Sequence, residues 1–456
     1  MNAVNVIVVL NVLFLTFVVG IYAGRGIKDI NGFAVGKRSY GTWALFSTLS
    51  ASYIGGGYTF GISEKTFQYG IVYIFCLLGF SLQQFCVATV LAPRMQPFYS
   101  AISVGDIMGS FYGKLGKVIT GIASVVVCAG IIGAQVTAMG YVFQLFLGME
   151  QVYGIIIGCG IVIAYSVFGG MQAVVATDIL QFAILIFVIP LTLILGIYYS
   201  DGFGNIFQQV PTNHFTIPGD MPILTMVSLF LSFLFGEALV PPYVQRLFIT
   251  KNVITTKRGT LYSSIMSVPF FMIAGGIGLV ALTMNPNIDP NLSLPSIVNI
   301  LPVGIKALAI AGIIAVIMSS ADSYLNAAAI AIVHDVIRPF KHNMIPNVEL
   351  QLTRLFTFLI GGLAIIFAIN ITSAMDILLY SYNFWSPIIL IPFCGGILGY
   401  KIKINEFIIT TILAISSVVF WNILLAKSLE IDGLVIGVLV NLASFTFFVH
   451  QEKNKL

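Results

Sequence analysis

Ser50-Ala51-Ser52-Tyr53-Ile54-Gly55-Gly56-Gly57-Tyr58 and Gly236-Glu237-Ala238-Leu239-Val240-Pro241-Pro242-Tyr243 are the two stretches that decide how this chain folds. Each lies inside a segment apolar enough to cross a bilayer, and each carries residues that a helix interior resists. A glycine costs roughly 1 kcal/mol relative to alanine in a helix, and three follow one another at 55–57. Pro241 and Pro242 remove two backbone donors and block continuation of the helix before them. Backbone that leaves the helix at membrane depth must line a cavity or be buried in protein. Close helix packing is the other use of glycines in a membrane helix, and it remains open for the triple glycine. Both segments are therefore expected to be interrupted helices.

Composition supplies the membrane. Of 456 residues, 58% are hydrophobic and only 8% are charged, against about 25% charged in soluble domains. A spanning helix needs about 20 mostly apolar residues. About thirteen candidates lie near 3–23, 41–62, 67–93, 116–148, 152–170, 174–198, 221–245, 261–284, 304–335, 353–371, 374–399, 405–426 and 431–450. Residues 1–23 lack a basic leader and a small-residue cleavage site, so they read as a retained first helix. With the N-terminus outside, 18 of the 21 Lys and Arg residues fall in inward loops and ends, Arg246 among them. Only Lys65, Lys306 and Lys427 fall outward. This bias predicts an N-out, C-in chain in a plasma membrane, such as a bacterial inner membrane. The net charge of +4 forms no patch that would suit nucleic acid. The five cysteines lie in apolar runs and read as packing residues.

The broken segments are the second and seventh helices, five apart. Many secondary transporters are built from two inverted repeats, each opening with an interrupted helix, and they bind cargo between them. Repeat one is expected over about 41–198 and repeat two over about 221–399, within a single transmembrane domain covering 1–456. The evidence for the repeat is positional.

Acids at membrane depth are functional candidates. They are Asp178, Glu237 and Asp322, with Asp376 near a helix end. Asp178 reads equally as an acid favoured by a helix N-terminus and as part of an ion path. Glu237 reads equally as a partner for a substrate ammonium and as an acceptor for backbone donors freed around Pro241 and Pro242. Asp322 lies in Met318-Ser319-Ser320-Ala321-Asp322-Ser323, four polar side chains within five positions of an apolar helix. Hydroxyls, carboxylates and unwound carbonyls are the ligands that hard monovalent cations take. His214, His334, His342 and His450 lie in loops or at helix ends and read as solvated residues. No nucleophile–base or metal constellation of an enzyme is found, and no organic cofactor is expected.

These segments closely resemble the sodium:solute symporter family, from Gly36-Lys37-Arg38-Ser39 to about residue 400. The most specific parts are Gly169-Gly170…Ala173-Val174…Thr177-Asp178…Gln181, Tyr243-Val244-Gln245-Arg246 and Met318–Ser323. The resemblance implies an all-α integral membrane protein of the leucine-transporter type. It would have a 5+5 inverted repeat, one extra N-terminal helix and two extra C-terminal helices. It implies a sodium site made of the carbonyls of Ala51, Ile54 and Val316 and the hydroxyls of Ser319 and Ser320. Members commonly carry alanine where Val316 stands. Asp178 matches an aspartate that influences sodium binding, and Asp322 and Ser323 fall where some members form a second sodium site.

The choline-carrier-like branch looks nearest. Its Trp-Val-Gly-Gly-Gly-Tyr is similar to Tyr53–Tyr58, and its Ser-Ser-Ala-Asp-Ser matches 319–323. The tryptophans expected to box a quaternary ammonium are replaced, by Tyr53 in one place and near Val240 in another.

The expected function is import of a small organic solute, such as an amino acid or a choline- or betaine-like metabolite, with sodium as coupling ion. The functional unit would be a monomer in the bilayer. The solute pocket is expected between Tyr53–Tyr58 and Glu237–Tyr243, with Tyr380, Tyr382 and Trp385 as an outer gate. A proton-coupled carrier of the same fold, a channel and a membrane sensor are the rivals.

Overall fold

The computed structural model describes residues 3–54, 56–237, 239–341, 344–369 and 381–453. The described chain is a helical bundle. Its elements are α1 (Ala3–Ala23), α2 (Ile30–Val35), α3 (Thr42–Tyr53), α4 (Gly56–Tyr69), α5 (Ile71–Cys86) and α6 (Val104–Leu147). There follow α7 (Gln151–Tyr199), α8 (Phe203–Gln209), α9 (Ile223–Gly236), α10 (Pro241–Leu247), α11 (Val253–Met284) and α12 (Ser293–Ile300). The last are α13 (Val303–Ile330), α14 (Pro346–Ala368), α15 (Ser386–Ile397), α16 (Ile404–Leu424) and α17 (Gly433–Lys453), with a single turn at Ala426–Leu429 between α16 and α17.

Among the described residues nine helices are long and apolar enough to cross a membrane, ten if α9 and α10 count as one bent span. The expected count of about thirteen differs because the span expected at 41–62 is two short helices, α3 of 12 and α4 of 14 residues, and because two expected spans are one long helix. At 49 residues, α7 would run roughly 70 Å, more than twice the ~30 Å hydrocarbon layer. It is broken at Gly170, where φ is 48° and ψ −153°, so the expected segments 152–170 and 174–198 are its two halves. α6 is interrupted in the same way at Gly113 (φ 68°). The segment expected at 374–399 is described only from residue 381, so Asp376 and Tyr380 lie outside the described residues, as does His342.

Gly170 occupies a backbone region that is essentially glycine's alone, and a β-carbon there would lie 2.6 Å from the Phe33 carbonyl oxygen of α2. Gly170→Ala is therefore expected to cost about 1–3 kcal/mol, read as a lower unfolding temperature of the detergent-solubilised protein.

Both interruptions read from the sequence are present. α3 ends at Tyr53, and α4 begins at Gly56. α9 ends at Gly236, and the chain bends by 50° before α10. Leu239 holds φ +55° in the gap, a cost for a side-chain-bearing residue. Pro241 and Pro242 stand at the first positions of α10, where a missing N–H is harmless. α13 is the centre of the bundle. It packs on α1, α3, α6, α7, α10 and α14, and every residue from Ala309 to Ile330 is buried. A helix that is buried all round has no lipid face.

Candidate functional site

The site forms where α13 crosses the two interruptions. Residues four apart on a helix share a face, so Ser319 and Ser323 make one stripe and Ser320 and Tyr324 the next. The second stripe faces both breaks. Ser320 Oγ donates to the Ser52 carbonyl at 3.0 Å, in the last turn of α3. One turn on, Tyr324 OH reaches Glu237 Oε1 at 3.4 Å.

Ala51 lies in the last turn of α3 and Ile54 just past its end. Ala51 and Ile54 are buried, and Thr59 Oγ1 donates to the Ile54 carbonyl at 2.5 Å. Val316 is buried one turn before Ser320 on α13. Of these residues Ser320 is the one tied to α3, through the Ser52 carbonyl. Ser319 turns the other way and donates to Asp178 Oδ1 at 2.5 Å.

That stripe meets a buried charge cluster. Asp178 accepts from Thr48 Oγ1 and pairs with Arg246 Nη2 at 3.0 Å, both side chains being 0% exposed. Arg246 also donates from Nη2 to Ser323 Oγ (2.7 Å), from Nε to Thr48 Oγ1 (2.8 Å) and from Nη1 to the Pro242 carbonyl (3.2 Å). Asp322 accepts from Tyr165 OH at 2.7 Å and from Ser323 Oγ at 3.0 Å. One guanidinium thus faces two buried carboxylates.

Two sequence expectations change here. Arg246 is no loop charge of the inner face but a fully buried partner of Asp178. Asp178 stands eight residues past the Gly170 break, and its side-chain bonds go to Thr48, Ser319 and Arg246, so a helix N-terminus does not account for it.

On the other side of α13, Glu237 is the end residue of the α9 break. Tyr58 OH donates to its Oε2 at 2.5 Å, and Tyr382 faces the same carboxylate. Glu237, Tyr58, Tyr243, Tyr324 and Tyr382 are all buried. Around them the rings of Tyr53, Phe80, Phe233 and Phe271 form a continuous aromatic wall. Tyr53–Phe80 centroids are 5.1 Å apart, and Tyr58 stacks on Phe271 at 6.0 Å. Tyr53 OH donates to the Ser263 carbonyl, whereas the Tyr243 hydroxyl has no partner among the described residues. Trp385 is fully buried, and its neighbour Ser386 donates to the Gly236 carbonyl at 2.7 Å. That bond sets Trp385 and Tyr382, two of the residues expected as an outer gate, against the end of α9.

Sequence reasoning did not find Thr48, Tyr165, Tyr324, Phe80 or Phe271. Tyr324 was within reach, because it follows Ser320 by one turn. His334 was misread as solvated: it is only 7% exposed and lies between Asp106 and Glu349.

A sequence model described as the sodium:solute symporter family matches residues 33–394. The osmoregulated proline transporter OpuE of Bacillus subtilis is 22% identical, over 96% of this chain and 93% of its own length. The high-affinity choline transporter 1 of Drosophila melanogaster is 23% identical, over 89% of this chain and 68% of its own. The solved structure of a Na+-coupled sialic acid symporter, substrate-bound and outward-open, superposes with a TM-score of 0.81 at 19% identity. It covers 99% of this chain and 98% of that one, which shows a shared fold. With a family match spanning most of its length, interrupted helices where the family's motifs fall, and apolar spans throughout, this multi-pass membrane chain belongs to the sodium:solute symporter family.

Proposed function

We propose that this protein is a sodium-coupled symporter that imports a small organic solute bearing an ammonium group, working by alternating access. In this reading thirteen helices run N-out to C-in, and repeats of about 41–198 and 221–399 rock around the site. One observation carries it: Ser320 points its hydroxyl at the carbonyl end of α3, where the helix breaks. A dehydrated sodium ion there would take the carbonyls of Ala51, Ile54 and Val316 and the hydroxyls of Ser319 and Ser320. Ser319 would turn from Asp178 to do so. The cluster of Asp178, Asp322 and Ser323 gathers carboxylate and hydroxyl oxygens around a guanidinium that pairs with Asp178, which supports a second ion or an ion path there. The buried carboxylate of Glu237 receives hydroxyls but, among the described residues, no cation; an ammonium would complete it, and aromatic faces favour such a cation.

The energetics suffice. One charge crossing ~100 mV yields about 2.3 kcal/mol, and a tenfold sodium gradient adds about 1.4 kcal/mol. Together these sustain a solute gradient of several hundred-fold per ion. A proton-coupled carrier is the second reading, favoured by Arg246 already neutralising Asp178.

The test is thermal stabilisation of the purified protein by choline, betaine, proline and sugars, in sodium and in potassium. The expected result is stabilisation by an amine-bearing solute in sodium only. Glu237→Gln should weaken that binding about 10- to 100-fold. Equal stabilisation in both salts would favour the proton-coupled reading, and stabilisation by sugars alone would remove Glu237 from the pocket.

A further inference from the structure

A second group of chemically active side chains lies apart from the central site, where α6 begins and α13 ends. There a cavity of about 830 Å³ opens between the two helices, bordered by Lys114, Lys117 and Arg338, with Asp106 and His334 in its wall. Past Ile330 the helix of α13 continues as a widened π turn over Ala331–Ile337, a distortion frequent at functional sites. It carries His334 and Asp335 side by side toward α6.

His334 Nε2 is 3.0 and 3.2 Å from the two carboxylate oxygens of Asp106. Its Nδ1 is 2.9 Å from Glu349 Oε1 on α14, an oxygen also held by Arg338 Nη1 at 3.1 Å. Asp335 is fully buried. Its Oδ1 accepts from Ser103 Oγ at 2.7 Å, and its Oδ2 has no hydrogen-bond partner among the described residues. Ligand atoms of Asp106, His334 and Asp335 lie within 4.8 Å of one another. Lys117 Nζ sits 2.6 Å from Asp106 Oδ1 and 3.7 Å from Asp335 Oδ1. A cation therefore already takes the place between the two carboxylates. It sits at the end of a flexible, partly exposed stem that can swing into the cavity.

We propose that Asp106, His334 and Asp335 form a binding site for one divalent first-row transition ion, with Glu349 orienting the imidazole. Two carboxylates and an imidazole are a donor set that Mn²⁺ and Zn²⁺ accept. A carboxylate on the far ring nitrogen is the usual arrangement behind a metal-bound histidine; Nε2, which faces Asp106, gives up its proton to solvent as the ion binds. The unpartnered Asp335 oxygen, which costs free energy while it has no partner, gains one. A β-carbon at Gly105 would collide with the Asp335 carboxylate, and one at Gly121 with its Cβ. The two helices are thus already in close contact at the site, and the ion stiffens an existing junction instead of pulling two parts together.

The experiment uses the full-length protein, freed of any affinity tag and stripped with chelator. ZnCl2 or MnCl2 is titrated by calorimetry, with MgCl2 as control, and unfolding is followed in parallel. The expected result is one Zn²⁺ or Mn²⁺ per chain and a rise of about 2–4 °C in unfolding temperature. Asp335→Asn should abolish both, and Lys117→Met, which removes the competing ammonium, should tighten binding about tenfold. No stoichiometric binding by the native chain, or equal binding by Asp335→Asn, overturns the site. Should Asp335→Asn not fold, Lys117→Met decides alone: unchanged or weaker affinity overturns it.

Discussion

Replacing Ser320 by alanine is expected to raise the sodium concentration for half-maximal uptake by about 10- to 100-fold, with little loss of stability. The side chain is small, and its bond is to a carbonyl, Ser52, in a helix turn that stays intact without it. What it removes is a hydroxyl placed at the carbonyl end of α3, where the helix breaks. In a dry site, one oxygen ligand to a charged species is worth about 1.5–3 kcal/mol. Ser319→Ala should weaken sodium activation similarly but also lower stability, because Asp178 loses the donor at 2.5 Å. A buried acceptor left short costs about 1–3 kcal/mol. Val316→Ala is the control. It keeps the carbonyl and removes only bulk, so sodium activation should hardly move. Sodium titration of solute uptake into proteoliposomes reads all three. If Ser320→Ala and Ser319→Ala both activate at the native sodium concentration, the ion is not held where α13 meets the α3 break.

What the sequence discloses and what it hides follow from the range of the interactions. Apolar length and composition announce the membrane, and Gly55–Gly57 and Pro241-Pro242 announce the interruptions, because a helix responds to its own residues. The serine stripe on α13 is legible for the same reason: its members are one turn apart. Arg246 is different. Its sequence neighbourhood, with Lys251, Lys257 and Arg258 soon after, looks like a basic loop, and its burial depends on Asp178, 68 residues earlier. No local pattern encodes that pairing. His334 was hidden likewise, since its partners Asp106 and Glu349 come from two other helices. Gly170 sits between these cases. The Gly169-Gly170 pair is legible as a motif, but its place as the break inside α7, against Phe33 of α2, is not.

Arg246→Met is expected to be the most destabilising single substitution in the central site, at about 3–5 kcal/mol. The guanidinium is 0% exposed and faces a carboxylate that is also 0% exposed. Its removal leaves Asp178 without its counter-charge in a medium that does not solvate it. Arg246→Lys should recover only part of the loss. A single ammonium cannot reach Asp178, Ser323, Thr48 and the Pro242 carbonyl as the fork of Arg246 does, and the two residues are not interchangeable in such a place. Asp178→Asn should also destabilise, by stranding the arginine. The informative variant is the pair, Asp178→Asn with Arg246→Met. A buried ion pair replaced on both sides often costs little, because its own desolvation disappears with it. The double variant should therefore unfold closer to the native temperature than either single one. The coupling between the two sites should exceed ~1 kcal/mol, well above the additivity expected of separate positions. Thermal unfolding of the four proteins in one detergent closes the cycle. Additive losses would mean that Arg246 is held by the α10 backbone and not by Asp178. In that event Asp178 would be left as an unpaired acid, and the case for a cation at its side would become stronger, not weaker.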